Sequence, residues 1–455
     1  MRHLVLALLG MLWLLAIAAS ARYRDITWLQ YLFVDIKWIQ TVILVTGGYG
    51  AFLVLVGSLA RARPNASPPP RRLMVSIVVP AKNEEAVIEA TVRSLCAIDY
   101  LEHGERCYEV IVVDDRSTDR TPGILERLAG EFPLTIVSTP EGSVGKAAAL
   151  NLGIARARAD IIAVFDADAR VAPDFLERTV PSLLERGVGG VQSRRMLYNA
   201  SENALTRIQD YEYRVFQRNL QRARRALGGM VCFSGNGLLL RREALDDVGG
   251  WNEDALTEDI DLSVRFTLAG WEIRYCDDVV VWEEAVADFR ALIRQRTRWF
   301  EGAIRCLGDH LPGILLGRGP LFKRADMLFF LGGTLVVTLA LLTSYLYAAI
   351  DVAGAVVLYL QLPRRLTTIA SAAVTSFVII GALGEHRGRT LPALLTLARL
   401  AVFSLHRLVV LPIAVYRYVR SAITGEISWE KTAHGSSSHA RAGAVGAGPR
   451  RKDHL

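Results

Sequence analysis

The chain has 455 residues, 51% of them apolar and 37 of them glycine, and its mean hydropathy is +0.27. This excludes wholesale disorder, and the 22% of charged residues excludes a chain made only of membrane helices. A net charge of +7 in so apolar a chain points to basic flanks against anionic lipid, not to nucleic acid.

In chain order, Leu4–Ala19 is an apolar run behind Arg2 and His3 that ends in Ala18-Ala19-Ser20-Ala21. It reads either as a spanning helix or as a cleaved leader. Ile39–Ala60 is long enough to cross a bilayer. Both readings of the first run put residue 61 onward in the cytosol, in keeping with Arg61, Arg63, Arg71 and Arg72. Residues 1–60 are therefore expected to be N-terminal membrane helices, and 61–72 a linker stiffened by Pro64–Pro70.

A soluble-type domain is expected over 73–300. Val75–Val79, Val110–Val113, Leu134–Val137 and Ile161–Phe165 read as strands, and Glu84–Cys96, Pro122–Ala129 and Lys146–Ala157 as helices, with Thr121 as N-cap and Pro122 at N1. Alternation of this kind predicts an α/β fold with a doubly wound, parallel or mixed sheet, whose ligands sit beyond the carboxyl ends of the strands. Asn203–Leu227, with Tyr211, Tyr213, Arg214, Arg218, Arg222, Arg224 and Arg225, reads as a basic helix suited to a membrane surface.

Asp288–His310 is amphipathic, and 301–326 is expected to lie at the membrane face. Within the apolar region 327–420, Met327–Ile350 and Leu366–Gly384 are candidate spans. Leu391–Tyr416 is a third and carries Arg399, His406 and Arg407. The tail 421–455 is expected to be disordered from about His434. The five cysteines have no metal-ligand spacing and read as free thiols of a reducing compartment.

Four motifs carry chemistry. Asp114-Asp115 follows an apolar strand, and so does Asp166-Ala167-Asp168. Carboxylates so placed suit Mg²⁺ or Mn²⁺ bound with a diphosphate, although the same residues also serve as helix caps. Thr257-Glu258-Asp259 opens a helix that stops at Ala269-Gly270. In Gln295-Arg296-Thr297-Arg298-Trp299, Gln295 and Arg298 share a helix face as phosphate donors, with an indole alongside.

In this order the set resembles the membrane-bound family 2 glycosyltransferases of GT-A fold, from Val75 to Trp299. Val78-Val79-Pro80-Ala81-Lys82-Asn83-Glu84-Glu85 and Gly145-Lys146-Ala147-Ala148-Ala149-Leu150-Asn151 match further segments of that family. The resemblance implies a catalytic GT-A domain inserted between N-terminal and C-terminal transmembrane helices. It also implies that Pro80, Asn83, Glu84, Asp114, Asp115, Lys146, Asp166, Glu258, Gln295, Arg298 and Trp299 bind the nucleotide sugar or substrate. Asp168 would hold Mg²⁺ or Mn²⁺, and Asp259 would be the general base of an inverting transfer.

Gly235-Asn236-Gly237, Gly249-Gly250-Trp251-Asn252-Glu253, Glu283-Glu284-Ala285-Val286 and Trp429-Glu430-Lys431-Thr432-Ala433-His434-Gly435 look like the cyanobacterial-type β-monoglucosyldiacylglycerol synthases. The chain departs from them at Ser234, Phe300 and Ala303, which bears on the acceptor and not on donor chemistry. The implied reaction moves a hexose, glucose from UDP-glucose, to diacylglycerol at the cytosolic face of a multi-pass membrane protein, with the lipid bilayer as partner. The alternative is a processive β-glycan synthase of the cellulose, poly-N-acetylglucosamine or hyaluronan type.

Overall fold

The computed structural model describes residues 37–60, 69, 71–142, 145–317, 319–333, 336, 379–384, 386 and 390–424. The run Leu4–Ala19, the tail from 425 and most of Met327–Ile350 and Leu366–Gly384 lie outside the described residues. Two compact units are present: an α/β unit within Arg61–Gln221 and Met230–Leu292, and a helical unit within Met1–Ala60, Arg222–Gly229 and Ile293–Glu430.

In chain order the described elements are α1 (Lys37–Leu59), β1 (Val75–Ala81), α2 (Ile88–Cys96), β2 (Leu101–Glu102), β3 (Glu105–Arg106), β4 (Tyr108–Asp114), α3 (Thr121–Glu131), β5 (Leu134–Ser138), α4 (Gly145–Arg156), β6 (Ile161–Val164), β7 (Arg170–Val171) and α5 (Phe175–Leu183). They continue with β8 (Val188–Leu197), α6 (Ala204–Glu212), a π-turn (Tyr213–Gln217), α7 (Arg218–Leu227), β9 (Leu238–Arg241), α8 (Arg242–Asp247), α9 (Glu258–Ala269), β10 (Glu272–Glu283), α10 (Phe289–Leu316), α11 (Thr390–Ser404) and α12 (Arg407–Thr424).

Eight strands form one sheet in the order β5-β4-β1-β6-β9-β8-β10-β7. β5, β4, β1 and β6 run parallel, as do β8 and β10, while β9 and β7 pair antiparallel with their neighbours. The sheet is therefore mixed. Period-two alternation splits its apolar residues between two faces. Ile77, Val79, Val110 and Val112 pack with Ile88 and Leu95 of α2, Leu125 and Leu128 of α3 and Phe175 of α5. Val78, Ile111, Val113, Ile162 and Val164 face Leu150 and Ile154 of α4, Leu245 of α8 and Leu262 and Phe266 of α9. Helices thus cover both faces, so the open edge at the strands' carboxyl ends is where a ligand reaches the fold.

Three local expectations are corrected. The helix expected from Glu84 begins at Ile88, because the Glu84 amide is taken by the Thr121 hydroxyl at 2.8 Å and 85–87 form a turn. Thr121 is itself the first helical residue and Arg120 the N-cap, since its hydroxyl serves that bond and not a cap. The basic helix Asn203–Leu227 contains the π-turn, and three of its arginines are neutralised internally: Arg214 by Asp210, Arg218 by Asp277 and Arg224 by Asp326.

In the helical unit α10 runs on to Leu316 through Pro312, so part of the segment expected at the membrane face continues this helix. Ile304 of α10 packs against Leu411 and Tyr418 of α12. The buried Arg224–Asp326 pair (3.0 Å) is joined by the Tyr49 hydroxyl at 3.1 Å. Among the described residues, 390–424 is the one stretch long and apolar enough to cross a membrane, and Val45–Leu59 is a shorter apolar helix. The expected single helix Leu391–Tyr416 is broken between α11 and α12, which puts His406 and Arg407 at the break.

Candidate active site

The parallel register sets Ala81 beside Asp114 and Val78 beside Val164, so the loops after β1, β4 and β6 emerge together. After β1, Asn83 adopts φ +53°, a left-handed conformation that Asn tolerates better than most side chains. Its amide donates to Ser117 Oγ at 2.8 Å, and its Oδ1 accepts from the Thr118 amide at 2.7 Å. After β4, Asp114 Oδ1 accepts from the Ser117 amide at 3.3 Å. Asp115 is buried between Lys82 (Nζ–Oδ2 2.9 Å) and the Thr139 hydroxyl (2.9 Å). Pro80, Asn83, Glu84, Asp114 and Asp115 are thus gathered at one corner. Asn83 and Asp115 brace the loops that shape it.

A second cluster surrounds Gly235. Lys146, in the first turn of α4, bonds Asp166 Oδ1 at 2.6 Å and Glu258 Oε1 at 3.1 Å. Gly235 has φ +81°, and a Cβ there would lie 3.3 Å from Asp259 Oδ2, 3.6 Å from Lys146 Nζ and 3.8 Å from Asp166 Oδ2. Burial alone would push the Lys146 ammonium down, but the carboxylates of Asp166, Glu258 and Asp259 reverse this and hold it above the ordinary lysine range. Burial, then repulsion from Glu258, push Asp259 up to about 6, against the opposing effects of Lys146, the Ile260 amide (2.9 Å) and Arg195. A carboxylate so tuned is ionised at neutral pH yet basic enough to accept a proton in a transition state.

The two carboxylates of Asp166-Ala167-Asp168 take different partners. Asp166 is held by Lys146, whereas Asp168, 5% exposed, accepts the Glu284 amide at its Oδ2 at 2.8 Å. Asp168 and Glu284 both face the Tyr198 hydroxyl, and burial and these two charges push its pKa up. That hydroxyl is buried without a hydrogen-bond partner among the described residues. Oxygen donors of this kind fit a hard divalent cation.

Gln295, Arg298 and Trp299 stand on α10, in the helical unit. Arg298 Nε is buried without a hydrogen-bond partner among the described residues, and Arg296 covers one face of the Trp299 indole at 4.2 Å.

Along the sequence Arg195 and Gln192 carry no assignment, Glu283 and Glu284 mark only the family resemblance, and Tyr213 marks only the basic helix. Glu283 Oε1 accepts from the Tyr213 hydroxyl at 2.9 Å and from Arg195 Nη1 at 3.3 Å, and its Oε2 accepts from Asn236 Nδ2 at 3.3 Å. Asn236 Oδ1 accepts from the Asp166 amide at 3.2 Å. The signal for the two glutamates is their place at the end of an apolar run, Val279–Trp282, in β10, a strand outside those the sequence pattern predicts.

The profile described as "Glycosyltransferase like family 2" matches residues 69–302. The chain belongs to glycosyltransferase family 2. A β-monoglucosyldiacylglycerol synthase of Trichormus variabilis is 37% identical over 374 residues, 80% of this chain and 77% of that protein. One from Synechocystis is 34% identical over 427 residues, 88% of this chain and 85% of that protein. Among solved structures, a Pyrobaculum calidifontis mannosyltransferase in complex with GDP-Man and Mn²⁺ matches with a TM-score of 0.56 at 25% identity. That match covers 76% of this chain and 98% of that one. The α/β unit of this family 2 glycosyltransferase is thus GT-A-like, and the acidic loops gather at its strand ends.

Proposed function

We propose that this glycosyltransferase moves glucose from UDP-glucose, with inversion, onto the hydroxyl of 1,2-diacylglycerol at the cytosolic face of a membrane it spans several times. The observation that carries the acceptor is the 34–37% identity, over most of the chain, to proteins named β-monoglucosyldiacylglycerol synthase. The chemistry rests on the cluster at Gly235. Asp259 accepts the proton of the acceptor hydroxyl as that oxygen attacks the anomeric carbon, and the bond to the diphosphate oxygen breaks. Lys146 ties up Asp166 and Glu258, which leaves Asp259 as the base and favours one displacement over two.

Pro80, Asn83, Glu84, Asp114 and Asp115 shape the nucleotide corner, with Lys146 and Asp166 next to the diphosphate. Gln295, Arg298 and Trp299 are assigned to substrate binding by the family's motif alone. Asp168 would hold Mg²⁺ or Mn²⁺, which when bound neutralises charge on the leaving diphosphate. A diacylglycerol hydroxyl lies at the bilayer surface, so this acceptor needs no pore. The processive β-glycan reading needs a polar path through the helices.

The test supplies labelled UDP-glucose and diacylglycerol in micelles to the full-length protein. Label should enter the organic phase as a one-sugar lipid whose yield rises with diacylglycerol. Polymer that lengthens with time, without organic-phase label, would replace this reading with a processive synthase.

A further inference from the structure

Arg195 lies on β8, beside Val281 of β10, and its side chain is 12% exposed. Its guanidinium donates from Nη1 to the Ser234 carbonyl at 2.9 Å and to Glu283 Oε1 at 3.3 Å, and from Nη2 to Gln217 Oε1 at 2.9 Å. The Tyr213 ring lies 4.9 Å from it. Tyr213 and Gln217 both belong to the π-turn, an irregularity that recurs where a helix must re-aim side chains at a functional site.

A buried Arg–Glu pair contributes little to stability compared with apolar residues of the same shape. Its location here has a further consequence. Ser234 is fixed at both ends, its carbonyl by Arg195 and its amide by Gln192 Oε1 at 2.7 Å. Asn236 is fixed by Glu283 and in turn holds the Asp166 amide. Between them Gly235 packs against Asp259, Lys146 and Asp166.

We propose that Arg195 is a positioning residue for glycosyl transfer: it clamps the Ser234–Asn236 turn that spaces Asp259, Lys146 and Asp166, and it supplies a fixed positive charge to Asp259. The inference rests on Asp259 being the base. The charged groups that act on Asp259 are Glu258 on α9, Lys146 on α4 and Arg195 on β8, and Asp166 after β6 lies beside the same Gly235. Of the two cations, Lys146 is bonded to Asp166 and Glu258, whereas Arg195 is bonded to Glu283 and to the Ser234 carbonyl of the turn. Asp259 and Asp166 are in turn among the charges that oppose burial and hold the Arg195 guanidinium above its ordinary value.

The test compares full-length wild type, Arg195→Gln, Arg195→Lys and Tyr213→Phe in detergent micelles. It measures kcat and KM with UDP-glucose and diacylglycerol, Kd for UDP, and the pH profile of kcat/KM. Arg195→Gln should lower kcat about tenfold to a hundredfold through misplacement of the reacting groups, with Kd for UDP little changed. Its acid limb should move up, because a charge that favours the carboxylate has gone. Arg195→Lys should keep the limb in place and recover only part of kcat. Tyr213→Phe keeps the charge but removes one bond to Glu283, so kcat should fall with the limb unmoved, which covers the case in which Arg195→Gln does not fold. An unmoved limb in Arg195→Gln, or an unchanged kcat in Tyr213→Phe, overturns the inference. If Asp259→Asn keeps full activity, it is the base that has been misassigned, and the two failures are told apart.

Discussion

The two glycines flanking Asn236 should fail in different ways when each is changed to alanine. Both adopt left-handed backbone, φ +81° at Gly235 and +69° at Gly237, where a side chain costs about 1–2 kcal/mol. At Gly237 the new Cβ would also lie 2.3 Å from Ser193 Oγ and 2.6 Å from Val281 Cγ1, between β8 and β10 in the sheet interior. Overpacking there adds about 1–3 kcal/mol. At Gly235 the nearest atom is 3.3 Å away and is the Asp259 carboxylate oxygen, so the methyl meets the proposed base and not the core.

With about 2–4 °C of melting temperature per kcal/mol in a domain of this size, Gly235→Ala should melt about 2–8 °C below wild type and Gly237→Ala about 4–20 °C below. Activity should not follow that ranking. Gly235→Ala should lose about a hundredfold or more in transfer rate, because its methyl displaces the base by a fraction of an ångström to an ångström. Melting curves of the full-length protein in detergent, with the lipid-transfer assay on the same samples, decide the matter. A Gly235→Ala protein with wild-type activity, or a Gly237→Ala protein more stable than Gly235→Ala, would refute the assignment of one glycine to the site and the other to the core.

Asp259→Asn should reduce turnover by about 10²–10⁴ while Kd for UDP is unchanged; normal turnover at saturating donor would reject Asp259 as the base. Activity should fall as pH drops through about 6, the value to which burial and Glu258 push Asp259. Because that folded-state value is above the ordinary aspartate value, the Asp259 contribution to stability is present at low pH and lost as pH rises through about 6. Asp259→Asn should therefore melt above wild type at pH 7.5, with the gap closing towards pH 5. Excess chelator should stop turnover and Mn²⁺ or Mg²⁺ restore it, and Asp168→Ala should weaken Mn²⁺ binding measured by electron paramagnetic resonance. Full activity in chelator would remove the cation from the mechanism.

Much of the catalytic unit is legible along the chain. The alternation of Ile77 and Val79 with Val78, and of Val110 and Val112 with Ile111 and Val113, is enough to predict strands covered on both faces. The order of Asp114-Asp115, Asp166-Ala167-Asp168 and Thr257-Glu258-Asp259 follows the family's motif order, because each motif sits at a strand or helix end that the local sequence itself marks. β8 and β9 are not legible along the chain for a physical reason: β8 opens with Val188-Gly189-Gly190 and carries Gln192, Ser193, Arg194 and Arg195, and β9 has only four residues. Polar residues in a buried strand break the apolar pattern because their partners are distant.

Tertiary structure decides the rest. Arg195 and Glu283 are 88 positions apart, and only the parallel pairing of β8 with β10 brings them under the Ser234–Asn236 turn. The different partners of Asp166 and Asp168 depend on α4 and on the end of β10. The proton affinity of Asp259 depends on burial and on the charges of Glu258, Lys146 and Arg195, two of which come from other elements. The local sequence specifies which groups can ionise. Which of them acts as the base depends on the distances the folded chain sets between them, because desolvation and charge–charge energies vary with burial and separation in space and not with spacing along the chain.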